Sequence, residues 1–361
     1  MAHELNYTDG KVSMFYYGEA PWHGLGQQAD HPITTWEEMA EFAGLGWDVV
    51  MVPQILDPSA GYGEARHVGA FASIRQDTNA VLGARLGPNY RPIQNKESFN
   101  FMNSIAADAG IEFHTAGALG AGERVWLLAK LPGQIALGSG KNKDKVDKFL
   151  LLYNTHDGTK LLTTFWTPIR VVCANTVRAA LHGRNGEGIT IRHSGEINSK
   201  IHEAQRLLGL AVRYYDDIQP ILQTMSITKL SAAQAKAYFA TLYPDPQGED
   251  LDKPSRTGQR VSATRNLLES LFDGKGVGLD MPSIKHTMWA AYNAVSEMTD
   301  HYQVEYTGAN TATKTAPGRL SSDKGRADRL DALWTGKLAD SKQRAFDLAC
   351  ETIGVDVPVL A

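Results

Sequence analysis

The chain holds 361 residues, 43% apolar and 21% charged, with 34 glycines and a net charge of −4. Those proportions exclude a disordered chain, a collagen-like repeat and a coiled coil, and they suffice for one large domain or two. Lys and Arg (36) nearly balance Asp and Glu (40), which excludes a wholly basic nucleic-acid coat but not a local basic surface.

Thr35 with Glu38 forms a capping box for a helix over Thr35–Ala43, stopped by Gly44. Trp47–Leu56, His67–Arg75 and Ala80–Leu86 read as strands, the last two joined by Asp77-Thr78-Asn79. Asn95 starts a helix running to Ala109. Phe113–Leu119 and Glu123–Leu131 read as a hairpin, and residues 138–148 as a charged, mobile loop. Phe149–Asn154 and Lys160–Trp166 flank His156-Asp157-Gly158, a hairpin turn. Pro168 ends that strand, and Val172–Leu181 starts a helix. The outline of strands followed by a helix recurs, which raises a duplicated unit.

After Gly195 the pattern changes. Ile197, Ile201, Leu208, Val212, Tyr215, Ile218 and Leu222 recur at helical spacing, giving one amphipathic helix kinked near Pro220. Further helices are predicted over Ser231–Tyr243, Ser262–Phe272, Pro282–Tyr302, Ala327–Trp334 and Asp340–Ile353. Residues 244–258 read as a Pro- and Asp-rich flexible linker, and 307–325 as mobile. The expected fold class is α+β: a mostly antiparallel sheet with flanking helices over residues 1–195, then a helical region over 196–361.

Familiar catalytic signatures are missing: no phosphate loop, no G-x-S-x-G elbow, no H-E-x-x-H and no C-x-x-C. No catalytic residue, metal or cofactor is therefore assigned. Gly274–Gly278 (GKGVG) follows a helix rather than a strand and reads as a helix-terminating turn. His23, His67, His114 and His156 read as structural or surface groups, and Asp157 belongs to its turn. Cys173 and Cys350 stand far apart; a disulfide framework is not expected, and Cys173 reads as a buried, inert thiol. Pro21–Gly26 (PWHGLG) describes a fixed loop that either faces a ligand or pins the N-terminal arm to the sheet. The stretch Met1–Gly10 lacks a signal peptide's apolar core, and no window reaches the roughly 18 apolar residues of a spanning helix. A soluble, cytoplasmic protein with no membrane partner is expected.

Charge is uneven. Residues 1–135 carry 8 basic and 15 acidic side chains, whereas residues 141–213 carry 12 and 6. Lys141, Lys143, Lys145 and Lys148 precede a strand, Lys160 follows its turn, and Arg170 and Arg178 come after, with Tyr153, Phe165 and Trp166 interleaved. Cations of this kind neutralise phosphates, and aromatics offer stacking faces to bases, so the stretch suits a nucleic-acid groove. The same residues also suit a solvated loop beside a strand whose aromatics are core.

At PWHGLG, AGLGWDV (Ala43–Val49), TAGALGAGERVWLLAKL (Thr115–Leu131), LLYNTHDGT (Leu151–Thr159), TPIRVVCANT (Thr167–Thr176) and NAVSEMTDHY (Asn293–Tyr302) the sequence resembles a known family. That family is the lateral-transfer proteins of phages and plasmids that carry domain of unknown function 932. The resemblance implies a mobile-element protein acting in the bacterial host's cytoplasm, and it brings no reaction to transfer. The element order is also similar to the core of single-strand annealing recombinases, the Redβ and RecT superfamily. That likeness implies a homo-oligomer that binds single-stranded DNA and promotes annealing and recombination without nucleotide hydrolysis. The alternative is a regulatory or host-interaction protein acting through protein binding, and a third reading is an enzyme with a folded-in His/Asp site.

Overall fold

The computed structural model describes residues 6–8, 10–18, 26–61, 63–106, 110–160, 162–170, 189–191, 197–250, 252–303, 313–314 and 337–357. Four short strands come first: β1 (Tyr7–Thr8), β2 (Lys11–Val12), β3 (Met14–Tyr17) and β4 (Gln27–Ala29). Helix α1 (Trp36–Ala43) follows, with Thr35 accepting from the Glu38 amide and Gly44 closing it at φ 63°. Its capping box is only half formed, because the Glu38 carboxylate turns instead to His31 Nε2 at 3.1 Å and the Thr34 amide.

Strands β5 (Val49–Leu56), β6 (Arg66–Arg75) and β7 (Val81–Leu86) form a separate three-stranded meander. Helix α2 (Asn95–Ala106) leads to β8 (Glu112–Leu119), β9 (Arg124–Leu137), β10 (Asp144–Thr155), β11 (Leu162–Trp166), β12 (Ile169–Arg170) and β13 (Ile189–Ile191). The large sheet runs β13-β11-β10-β9-β8-β3-β4, with β12 also on β10; every pair is antiparallel except β3–β4. The helical part comprises α3 (Ile197–Ile227), α4 (Ala232–Leu242), α5 (Arg256–Ser270) and α6 (Met288–His301), then the ribbon β14 (Tyr302–Gln303) with β15 (Thr313–Lys314), and α7 (Lys337–Ile353). The fold is thus α+β with a mostly antiparallel sheet and a helical C-terminal region.

One face of the sheet (Val125, Leu127, Ala129, Leu150, Leu152) packs on Met39 and Ala43 of α1 and on Phe99 and Met102 of α2. The helical core gathers Tyr215, Ile218, Leu222 and Met225 of α3 with Phe239 of α4, Trp289 and Tyr292 of α6 and Phe346 of α7. Val212 does not join it. At 100° per residue it lies about 120° around α3 from Ile218, and it is 54% exposed. Pro220 sits on the exposed side, so the carbonyl that its missing N–H releases can meet water.

The expected mobile loop is strand over its second part, from Asp144 onward. β9 continues to Leu137 and β10 begins at Asp144, leaving a turn over 138–143. Pro132 and Gly133 break the alternation that would have revealed this. They fall where the register slips, with Leu131–Gly133 facing Lys148 alone, so proline's lost N–H costs no ladder bond. The strand expected to end at Pro168 resumes beyond it as β12, pairing Arg170 with Val146. The resulting arm extends past β8 and buries Leu131, Ile135, Leu137 and Val146 in the helical core. Within residues 244–258, Glu249 accepts from the Ser255 amide and hydroxyl, Arg265 reaches from α5 to the neighbouring Tyr243 carbonyl, and α5 begins at Arg256. The predicted helices Val172–Leu181 and Ala327–Trp334 lie outside the described residues.

Asp144 is fully buried and its Oδ2 accepts from Trp289 Nε1 at 2.8 Å. Asp144→Ala strands that indole N–H without this acceptor, at a cost of about 1–3 kcal/mol. We expect a lower thermal midpoint for Asp144→Ala and an unchanged one for exposed Lys143→Ala.

Candidate nucleic-acid interface

Three bonds fix the arm's tip. The Gly138 amide donates to Ser226 Oγ at 2.9 Å, the Ser139 amide to the Ser283 carbonyl at 3.4 Å, and Trp289 to Asp144. Gly138 has φ 91°, and a Cβ there would lie 2.6 Å from the Ser283 carbonyl oxygen, so only glycine allows this approach. From this anchored turn Lys141, Lys143 and Lys145 project into solvent. Asp144 faces inward, and Asp147 is held by Lys130 at 2.7 Å and Gln134 at 2.7 Å. The tip's outward charge is therefore positive. Arg170 is placed beside it by its backbone pairing with Val146.

Lys148 is used differently. It is the single residue opposite the bulge, and its Nζ lies 5.5 Å from the Tyr215 ring centre. The Tyr215 hydroxyl donates to the Phe149 carbonyl at 2.8 Å and accepts from the Phe149 amide at 2.9 Å, locking the bulge. Burial holds that phenol well above its ordinary value.

The remaining expected contacts do not share one groove. Lys160 follows the far end of β10, whose length places it roughly 36 Å from the arm's tip at about 3.3 Å per residue. There its amide and carbonyl both bond Thr155 Oγ1. Tyr153 offers no stacking face: it is fully buried against Met14, Trp126 and Leu151. Trp166 is half-buried between the two large cores, with Tyr214 stacked on it at 5.6 Å, so it acts as a wedge rather than a platform. Phe165 is paired with Leu151 in the ladder. Arg178, Cys173 and Pro21–Leu25 lie outside the described residues.

His114, His156 and the glycine loop are packed into the structure, and His23 lies outside the described residues. His156 is wholly buried, its Nε2 3.0 Å from Asn95 Oδ1 and its ring edge-on to Trp47 at 5.4 Å. Burial lowers its pKa to about 3. Burial, then the nearby Lys130 charge, lowers His114 to about 4. Asp157 caps its own turn through the Thr159 amide and hydroxyl. GKGVG does close a helix, through a π-turn at Leu271–Lys275 with Gly274 at φ 107°. Its Val277 amide donates to the buried carboxylate of Glu297 at 3.0 Å, so that amide already has an anionic acceptor. Among the described residues no group of three or more His, Cys, Asp or Glu could hold a metal ion, and no helix is long and apolar enough to cross a membrane.

A buried neutral imidazole sets a pH dependence. The unfolded chain protonates His156 near the ordinary value of about 6.5 while the folded protein does not. Stability present above that pH is therefore lost as pH falls toward 3, by about 1.4 kcal/mol per pH unit from this residue. Urea unfolding between pH 7 and 5 should show a loss of about 1 kcal/mol per pH unit from His156, beside that from His114, and His156→Gln should reduce the slope by that share. An unchanged slope would place the imidazole in contact with water.

A family model described as "Domain of unknown function (DUF932)" matches residues 82–334. The match starts in β7, spans the arm and α3–α6, and stops before α7; the blocks Pro21–Gly26 and Ala43–Val49 precede it. No curated protein and no solved structure matches the chain, so the likeness to annealing recombinases has no structural neighbour behind it. The match covers more than half of the chain, from the meander's last strand to the helical core: the protein belongs to the DUF932 family.

Proposed function

We propose that this protein binds single-stranded DNA through its phosphate backbone and promotes annealing without nucleotide hydrolysis, with the tip of the β9–β10 arm as a contact. The observation that supports this reading is the anchored turn: Lys141, Lys143 and Lys145 are exposed on backbone already fixed to α3, α6 and the Ser283 turn. Backbone ordered before binding loses little entropy on binding, and each neutralised phosphate releases counterions. Annealing requires neutralised phosphates and several contacts along one strand, which homo-oligomerisation would supply. With Tyr153 in the core and Trp166 wedged, the contact is to phosphates, so affinity should vary little with sequence. The protein-binding alternative draws less support: among the described residues of the helical half the exposed large apolar side chains are Val212 and Ile227, about 22 Å apart along α3 at 1.5 Å per residue, and Val277 beyond α5.

The test is a titration with single-stranded DNA, duplex DNA and RNA at several salt concentrations. Replacing Lys141, Lys143 and Lys145 together by Ala should weaken single-strand binding and flatten the slope of log affinity against log salt by about 2, at about 0.7 per contact. The melting temperature should not change. A folded triple variant with wild-type affinity and slope would refute the reading, and tighter binding to duplex or RNA would reassign the strand.

A further inference from the structure

We infer that the phosphate-contact surface crosses from the arm onto the helical half, where Lys285 and Lys229 form its second row. This rests on the reading of the arm as a DNA contact, and the test below separates the two.

The joint is the turn 281–287 ahead of α6. The Ser139 amide bonds the Ser283 carbonyl, so Lys141 and Lys285 each stand two residues from one hydrogen-bonded contact. At no more than about 3.6 Å per residue their Cα atoms lie within roughly 20 Å, a distance that several consecutive phosphates of one strand span. Lys229 reaches the same turn from the other side. Its Nζ donates to the Lys285 carbonyl at 2.6 Å, and the Leu230 amide donates to the His286 carbonyl at 2.8 Å. The chain segments carrying Lys141, Lys285 and Lys229 are thus bonded in series through Ser283, Lys285 and His286.

The turn is held rigidly. His286 sits at φ 54°, a left-handed conformation unfavourable for a residue with a side chain. It is kept there by the Leu230 bond and by packing on Phe272 at 5.3 Å. Thr287 caps α6 by accepting from the Ala290 amide, and the Met288 amide bonds the Thr228 carbonyl. The acidic groups nearby are Asp273, 4.0 Å from His286 Nε2, and Asp280 beside Gly274; both are exposed. Five lysines (Lys141, Lys143, Lys145, Lys229 and Lys285) stand against these two carboxylates, and Lys275 follows on the π-turn. Such a surface favours a polyanion long enough to bridge both rows, which a strand supplies and a single phosphate does not.

The test compares Lys229→Gln/Lys285→Gln with the triple alanine variant of the arm and with the two combined, using single-stranded DNA across salt concentrations and a melt of each protein. The double variant should keep its melting temperature and flatten the salt slope by about 1.4; the combination should flatten it by about 3.5. Because Lys229 also bonds backbone, Lys285→Glu is the second probe. Its side chain lies outside that bond, and it should weaken binding more than Lys285→Gln does. If the double variant and Lys285→Glu bind as wild type while the arm variant is weakened, the inference fails and the arm reading stands. If the arm variant also binds as wild type, both fail.

Discussion

The lysine-bearing tip of the arm is anchored by a hydrogen bond from Trp289 Nε1 to Asp144 Oδ2, made at full burial between a strand and a helix. A carboxylate is costly to bury, and it is tolerated only where donors are supplied. Helix α6 supplies one, and the arm carrying Asp144 gives Leu131, Ile135, Leu137 and Val146 to the helical core in return. The helical region is therefore not closed by helices alone. A hairpin from the sheet forms one of its walls, and the chain's halves share a core across residues distant in sequence.

A second polar lock fastens the small meander. Arg75 is 1% exposed; its Nε and Nη2 pair with Asp77 at 2.7 and 2.9 Å, its Nη1 reaches Asn6 and the Ala121 carbonyl, and its plane lies 4.4 Å from the Trp47 ring centre. Ser73 Oγ donates to the His156 carbonyl at 2.6 Å, and a Cβ on Gly83 would lie 2.8 Å from Asp157 Cα. The meander's inner face is thus committed to the main sheet. The His156 carbonyl is used in that docking, and its ring is buried against Asn95 and Trp47.

Regular patterns were legible in the sequence and long-range contacts were not. Thr35 and Gly44 delimit α1, Ser231 caps α4 with Gln234 as a full capping box, and the spacing of Tyr215, Ile218 and Leu222 locates α3. The first four strands escape because none exceeds four residues and their pairing is tertiary. The arm escapes because Pro132, Gly133 and the lysines mimic a loop. Within the candidate site, the exposed Lys141, Lys143 and Lys145 were legible as charge. The burial of Tyr153 was not, since an aromatic in a strand shows the same residue whichever face it takes. Lys229 and Lys285 carried no signal, because long-range contacts, Gly138–Ser226 and Ser139–Ser283, bring them toward the arm.

The alternation along Lys143-Asp144-Lys145-Val146 ties the charge pattern to the fold. Successive side chains in a strand face opposite ways, so Asp144 and Val146 turn inward and Lys145 outward. A one-residue slip of β10 against β9 would drive Lys145 toward the helices, with no acceptor in Trp289's donor-only indole, and would turn Asp144 outward among the lysines. Both changes are unfavourable, so the Trp289 bond selects the register as well as anchoring the tip. The same carboxylate that the helical core tolerates at a cost is thereby kept away from the exposed Lys141, Lys143 and Lys145 at the arm's tip.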